Sequence, residues 1–127
     1  MIRGRIDEQD SIIVDVTVSG MRGSVALSAH LDTEFSGDLS LPTPIAVTIG
    51  LDLIDEIQVE LGDGRIVRRL SFLGVANLGE GLREVEILLS EADVALIGRT
   101  WLHDRVLYAN YATGEVVIQN APHSEEP

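Results

Sequence analysis

The sequence contains no cysteine. That excludes disulfide staples, thiolate nucleophiles and cysteine-ligated zinc, and it fits a reducing compartment. Aromatic residues make up only 4% of the chain, which argues against the stacking platforms that single-stranded nucleic acids need. Basic residues are also scarce: nine against 21 acidic ones, a formal net charge of −12. A surface this acidic repels phosphate backbones and anionic lipid, so neither nucleic acid nor a membrane is an expected partner. No apolar run approaches the roughly 20 residues needed to cross a bilayer. The opening "MIRGRIDEQD" lacks the apolar core of a signal peptide. The expected location is the cytoplasm. There is no Gly-x-Ser-x-Gly nucleophile elbow and no phosphate-binding loop.

What remains is a chain of 127 residues, 45% apolar, enough for one domain with its own core. Strand patterns dominate. In Ser11–Ser19, Ile12, Val14, Val16 and Val18 alternate onto one face, and in Arg22–Asp32, Val25, Leu27, Ala29 and Leu31 do the same. Gly20 and Gly23 between them are expected to supply positive φ for a hairpin turn. "LPTPIAVTIGL" reads as a short helix with Thr43 as N-cap, Pro44 in the first turn and Gly50 as its stop. Asp63-Gly64 marks another hairpin, and Gly79–Gly81 a further turn. "VALIG" is continuous and apolar, as in a strand buried on both faces. "RTWLHD" suits one or two helical turns, and "ATG" at Ala112–Gly114 turns a last hairpin. Eight or nine short strands at such spacing predict an all-β fold: a closed antiparallel barrel with one or two short helices. The domain is expected over 1–119, with 120–127 as a disordered tail.

One stretch, "AHLDTEFSGDLSLP" at Ala29–Pro42, could carry chemistry. Asp32 sits where an apolar strand ends, and the Thr33 hydroxyl can lock that corner. A carboxylate there can act as a general base. The plain alternative is an Asp-Thr pair that ends a strand and caps a turn.

Together with the hairpin at Leu61–Gly64 and with "ALIGRTWL", this stretch resembles the retropepsin-like aspartic peptidases of the small, single-domain bacterial type. In that family an apolar residue precedes Asp-Thr-Gly or Asp-Ser-Gly. A later apolar-apolar-Gly segment forms the other limb of a ψ-shaped loop, and a short helix follows. Leu31-Asp32-Thr33 and Leu96-Ile97-Gly98 match, and "RTWL" falls where the helix should be. Asp32 and Gly98 lie about 66 residues apart, and the likeness runs from Ile12 to about Gln119. It implies an acid-protease barrel with no cofactor and no metal. With one Asp-Thr motif per chain, it implies a homodimer in which each subunit contributes Asp32 at the two-fold axis. Thr33, Glu34, Ile97 and Gly98 would form the scaffold of the site. Thr33 would bond across to the partner's loop, and Leu61, Gly62, Asp63 and Gly64 would be a flap over a peptide substrate. The implied activity is peptide-bond hydrolysis by an activated water.

Two positions depart from the pattern. Glu34 stands where the family has Gly, which keeps the main-chain N–H but adds charge. Like charges about 4 Å apart cost on the order of 4 kcal/mol at an effective dielectric of about 20. Glu34 could turn outward, pair with Arg99 or Arg105, stay beside the two Asp32, or mark an inactive site. Arg99 would be the helix or dimer anchor, but its usual acid is replaced by Ser36, leaving Asp38 as the nearest partner. A second reading is therefore a non-catalytic dimer of the same fold that binds a peptide or partner protein. A third is a barrel of unrelated function. His30 and His103-Asp104 lack the spacing of a metal site. Trp101 reads as a core or interface anchor.

Overall fold

Alternation of β-branched side chains shapes the core. Val14, Val16 and Val18 are fully buried along one strand, with Ala29 buried on its neighbour. The computed structural model describes residues 1–122, and the side chains of all of these except residues 55, 57 and 59. Its strands are β1 (Ile2–Ile6), β2 (Ile12–Ser19), β3 (Ser24–Leu31), β4 (Leu39–Pro42), β5 (Asp52–Glu60), β6 (Ile66–Asn77), β7 (Leu82–Ser90), β8 (Ala95–Ile97), β9 (Arg105–Ala109) and β10 (Glu115–Asn120). One helix, α1 (Thr43–Ile49), follows β4, and a 3-10 turn (Arg99–Leu102) follows β8. The last strand includes Asn120, one residue into the expected tail. Residues 123–127 of that tail lie outside the described residues. No helix among the described residues is long and apolar enough to cross a membrane.

The ten strands form one sheet in the order β5-β6-β7-β4-β8-β3-β2-β1-β10-β9, and β6 also pairs with β2. That pairing joins six strands into a ring, with β5 on one side and β1, β10 and β9 on the other. The expectation of a closed, wholly antiparallel barrel is corrected in two ways. Four strands lie outside the ring, and two pairings within it are parallel, β3 with β8 and β4 with β7. Both parallel pairs join strands distant in sequence, which a hairpin-by-hairpin scheme does not generate. Inside the ring, Leu39, Leu41, Ile87, Ile97 and Ile49 have no exposed surface or almost none.

The turns explain themselves residue by residue. Asp63 and Gly64 do close a hairpin: Leu61 N–H reaches Arg65 O at 2.8 Å, and Gly64 takes φ 86°. The Asn77 side chain holds the β6–β7 turn by accepting from Gly79 N–H at 2.7 Å. The β2–β3 turn is different from expectation, because neither Gly20 nor Gly23 takes positive φ. Gly20 is there for space: a Cβ would lie 2.4 Å from Ile49 O. Helix α1 has Pro42, not Thr43, at its N-cap, with no side-chain cap. The Thr43 hydroxyl instead donates to Ser90 O at 3.3 Å, tying the helix start to β7.

An ion pair links the β6–β7 turn to β9. Arg105 grips Glu80 with both terminal nitrogens, one at 2.9 Å. The Arg105 hydrogen bond is the main cause that lowers the Glu80 carboxyl below its usual range. A lowered folded-state pKa gives stability that is present above the unfolded value and lost as pH falls through the folded one. Glu80→Gln is therefore expected to cost about 1 kcal/mol at pH 7. Urea unfolding should show the gap between variant and wild type closing as pH falls below about 4.

Candidate active site

The site is built where β3 and β4 flank β8. β3 runs parallel to β8 with Leu31 opposite Ile97, and β4 runs antiparallel on the other side with Leu39 opposite Ile97. The chain leaving β3 must therefore cross the end of β8 to reach β4, and Asp32 starts that crossing. Main-chain bonds stitch it shut. Asp32 N–H donates to Ile97 O at 3.0 Å, Gly98 N–H to Asp38 O at 3.1 Å, and Arg99 N–H to Phe35 O at 2.8 Å. Gly98 has an ordinary φ of −102°, so backbone freedom is not its reason. A Cβ there would lie 2.0 Å from Gly37 O and 2.7 Å from Phe35 O.

Asp32 is half-buried, while Thr33 and Glu34 are exposed. The Asp32 Oδ1 accepts the Glu34 main-chain N–H at 2.9 Å. Phe35 N–H donates to Asp32 O at 3.1 Å, closing the turn. The contact for which a motif glycine would serve is thus made with Glu in its place. Among the described residues, the Thr33 hydroxyl has no hydrogen-bond partner within the chain. Glu34 pairs with neither candidate arginine, since Arg105 is held by Glu80 and Arg99 is exposed.

The Arg99–Asp38 pair that the sequence left open does not form. Asp38 instead faces β7, where its Oδ2 accepts Glu86 N–H at 2.8 Å and its Oδ1 lies 3.8 Å from Arg83. The Arg83 guanidinium stacks 4.2 Å above the Trp101 ring. Trp101, 2% exposed, donates from Nε1 to Asp38 O at 3.0 Å, so it serves as a core anchor behind the crossing. Thr100 adds a hydroxyl bond to Gly37 O at 3.2 Å. Arg99 is excluded from this cluster because it sits on the outward side of the 3-10 turn.

A cavity of about 200 Å³ opens at Asp32, lined also by Phe35, Ser40, Arg69, Leu88 and Leu96. A larger one, of about 720 Å³, is lined by Leu61, Val67, Arg68 and Leu89 among others, and it shares Arg69 and Ser90 with the first. The hairpin thus reaches the cleft through Leu61, while Gly62, Asp63 and Gly64 form its exposed tip. His30 is a half-buried strand residue opposite Leu96.

No protein-family model matches this sequence, and no curated protein matches it. The fold does have a counterpart. It is similar to a crystal structure of a retropepsin-like aspartic protease from Rickettsia conorii, with a TM-score of 0.65 at 13% identity. The match covers 94% of this chain and 89% of that one. The chain has the retropepsin-like aspartic protease fold.

Within this retropepsin-like fold, sequence reasoning brought Asp32, Ile97 and Gly98 together but missed most of the cleft lining. Leu96 was legible in principle: in a strand whose neighbours Ala95 and Ile97 are buried, period two turns it the other way. Arg69, Arg83 and Leu88 depend on pairing between distant strands and carry no local signal. Gly98→Ala is expected to cost about 3 kcal/mol or more, because the added methyl meets backbone that cannot move aside. Arg83→Ala is expected to cost about 1 kcal/mol, and Arg99→Ala no more than about 0.5. Urea midpoints would check this ranking, and equal losses at the two arginines would contradict the assignment of Arg83 as the partner of Asp38.

Proposed function

We propose that the protein is an aspartic endopeptidase whose two-carboxylate site assembles across the axis of a homodimer. The observation that carries this reading is Asp32 itself. It is fixed at main chain by the crossing, its carboxylate is oriented by the Glu34 N–H, and it opens onto a cavity. One chain supplies one such carboxylate, and a two-fold axis supplies the second. The exposed Thr33 hydroxyl, without a partner among the described residues, supports a bond to the partner's loop. The fold shared with the Rickettsia conorii protease supports the same chemistry.

Two carboxylates a few ångströms apart do not both ionise cheaply, so the pair shares one proton. The ionised member takes a proton from a water held between them, and the water oxygen attacks the peptide carbonyl. The protonated member gives its proton to the carbonyl oxygen. Collapse of the tetrahedral species then breaks the C–N bond: a carboxyl proton passes to the leaving amine, and a hydroxyl of the diol returns its proton to the other carboxylate as the new C=O forms. Proton count and charge are restored at the end, and no step calls for a cofactor. The Leu61–Gly64 hairpin acts as the flap, closing over substrate and keeping bulk water out.

Asp32→Asn is expected to abolish cleavage of a denatured protein substrate while leaving thermal unfolding and dimer mass nearly unchanged. Persistent cleavage by that variant would remove the assignment. In the dimer, two Glu34 carboxylates add like charge near the pair, which disfavours its ionised form. Glu34→Gly should therefore move the acid limb of the pH–rate profile to lower pH. An unmoved profile would place Glu34 electrically distant from the pair.

A further inference from the structure

All nine basic residues of this chain are arginine, and two of them line the cleft. Arg69 is the notable one, because it borders both the Asp32 cavity and the larger cavity beside the hairpin. It comes from β6 opposite residue 57, and its guanidinium donates to Leu89 O at 3.1 Å. That bond fixes the side chain against β7 but leaves its charge uncompensated. Among the described residues, no carboxylate lies within ion-pair distance of Arg69. The neighbouring arginines differ: Arg65 is paired with Asp63 at 2.7 Å, and Arg68 with Glu56 at 3.8 Å. In a protein of net charge −12, an unmatched cation inside a cleft stands against the composition. Glu91 is the one carboxylate on the larger cavity's lining.

The geometry points to Arg69 as a specificity residue that selects peptides carrying an acidic side chain two residues from an apolar one. This rests on the peptidase reading for the site but adds the substrate class. Phe35, Leu88 and Leu96 make the walls of the Asp32 cavity apolar, suited to an aliphatic or aromatic side chain at the scissile bond. An extended peptide turns alternate side chains to one face, roughly 7 Å apart. A Glu or Asp two residues from the apolar side chain therefore lies along the same wall, which Arg69 spans. A guanidinium held by one main-chain bond keeps further N–H donors for a carboxylate, in a fork that matches its two oxygens. Long-range repulsion from the acidic surface slows the approach of such a peptide, while Arg69 selects it at short range.

The test uses Asp32→Asn protein, which binds without cleaving, and fluorescent peptides built around an apolar pair. Glu or Gln is placed at each flanking position in turn, and affinity is read by anisotropy. At one position Glu should bind about five- to tenfold more tightly than Gln at low salt. The preference should shrink at high salt and vanish in Asp32→Asn/Arg69→Gln, with the Gln peptide's affinity held within about twofold. Arg69→Lys should keep most of it. The Glu-against-Gln comparison needs no change at Arg69, so it stands even if the Gln variant folds poorly. Equal binding of Glu and Gln peptides at every position, or a preference that survives Arg69→Gln, would overturn the proposal. Wild-type protein that cleaves none of these peptides while keeping the Glu preference would support the selectivity and remove the peptidase reading.

Discussion

Three main-chain hydrogen bonds hold residues 32–38 against residues 97–99, at a crossing with no room for a single extra carbon. Gly98 marks the point of contact. Around it, β8 is clasped between β3 and β4, and the sheet order on both sides follows from that clasp. β3 leads to β2, which reaches β6, and β4 leads to β7, which also reaches β6. The six-stranded ring is thus the shortest way to satisfy the backbone groups on both outer edges of the clasped trio, since unpaired strand edges in a core are costly.

The side chains behind the crossing convert this backbone arrangement into a fixed platform. Asp38 O accepts from both Gly98 N–H and the Trp101 indole, while the Asp38 carboxylate takes the Glu86 N–H and lies near Arg83. Each contact links the 32–38 crossing to a different element: the 3-10 turn through Trp101 and β7 through Glu86 and Arg83. A loop held from two sides cannot rotate without breaking several of these bonds at once, which keeps the Asp32 main chain in one place. Under the proposed dimeric site, a carboxylate that meets a symmetry mate within a few ångströms needs such fixation, because small displacements change the energy of a charged pair steeply.

Much of this was legible in the sequence, for reasons that differ by feature. Alternation along Ile12–Ser19 is a local property, and the buried Val14, Val16 and Val18 follow it. Asp63-Gly64 carries its turn in its own dihedral preferences. Leu31-Asp32 and Ile97-Gly98 were recognised as partners only through a motif, and Leu31 lies in register with Ile97. The parallel pairings were not legible, because strand direction across more than forty residues leaves no periodic trace. Gly20 was assigned to conformational freedom when its role is close approach to Ile49 O, and sequence does not separate those two uses of glycine. Thr43 looked like a cap because its type suits one. A tertiary partner, Ser90 O, drew the hydroxyl away. Arg99 was matched to Asp38 by nearness in the motif, while Arg83 arrives from β7 by strand pairing.

The same distinction between uses of glycine clarifies Glu34. Position 98 is closed to any side chain by sterics. Position 34 is not: the residue is exposed, and it is not among the non-glycine residues with positive φ, which are Asp10 and Asp104. What the fold asks of position 34 is a main-chain N–H aimed at Asp32 Oδ1, and every residue but proline supplies one. A glutamate there costs the isolated chain neither a strained dihedral nor a displaced neighbour. Its charge acquires weight only where a second copy brings two Asp32 and two Glu34 together, since Coulomb energy between carboxylates grows as water is excluded from between them. Under the proposed dimeric site, the substitution therefore acts on the assembled pair of carboxylates, not on the fold that presents them.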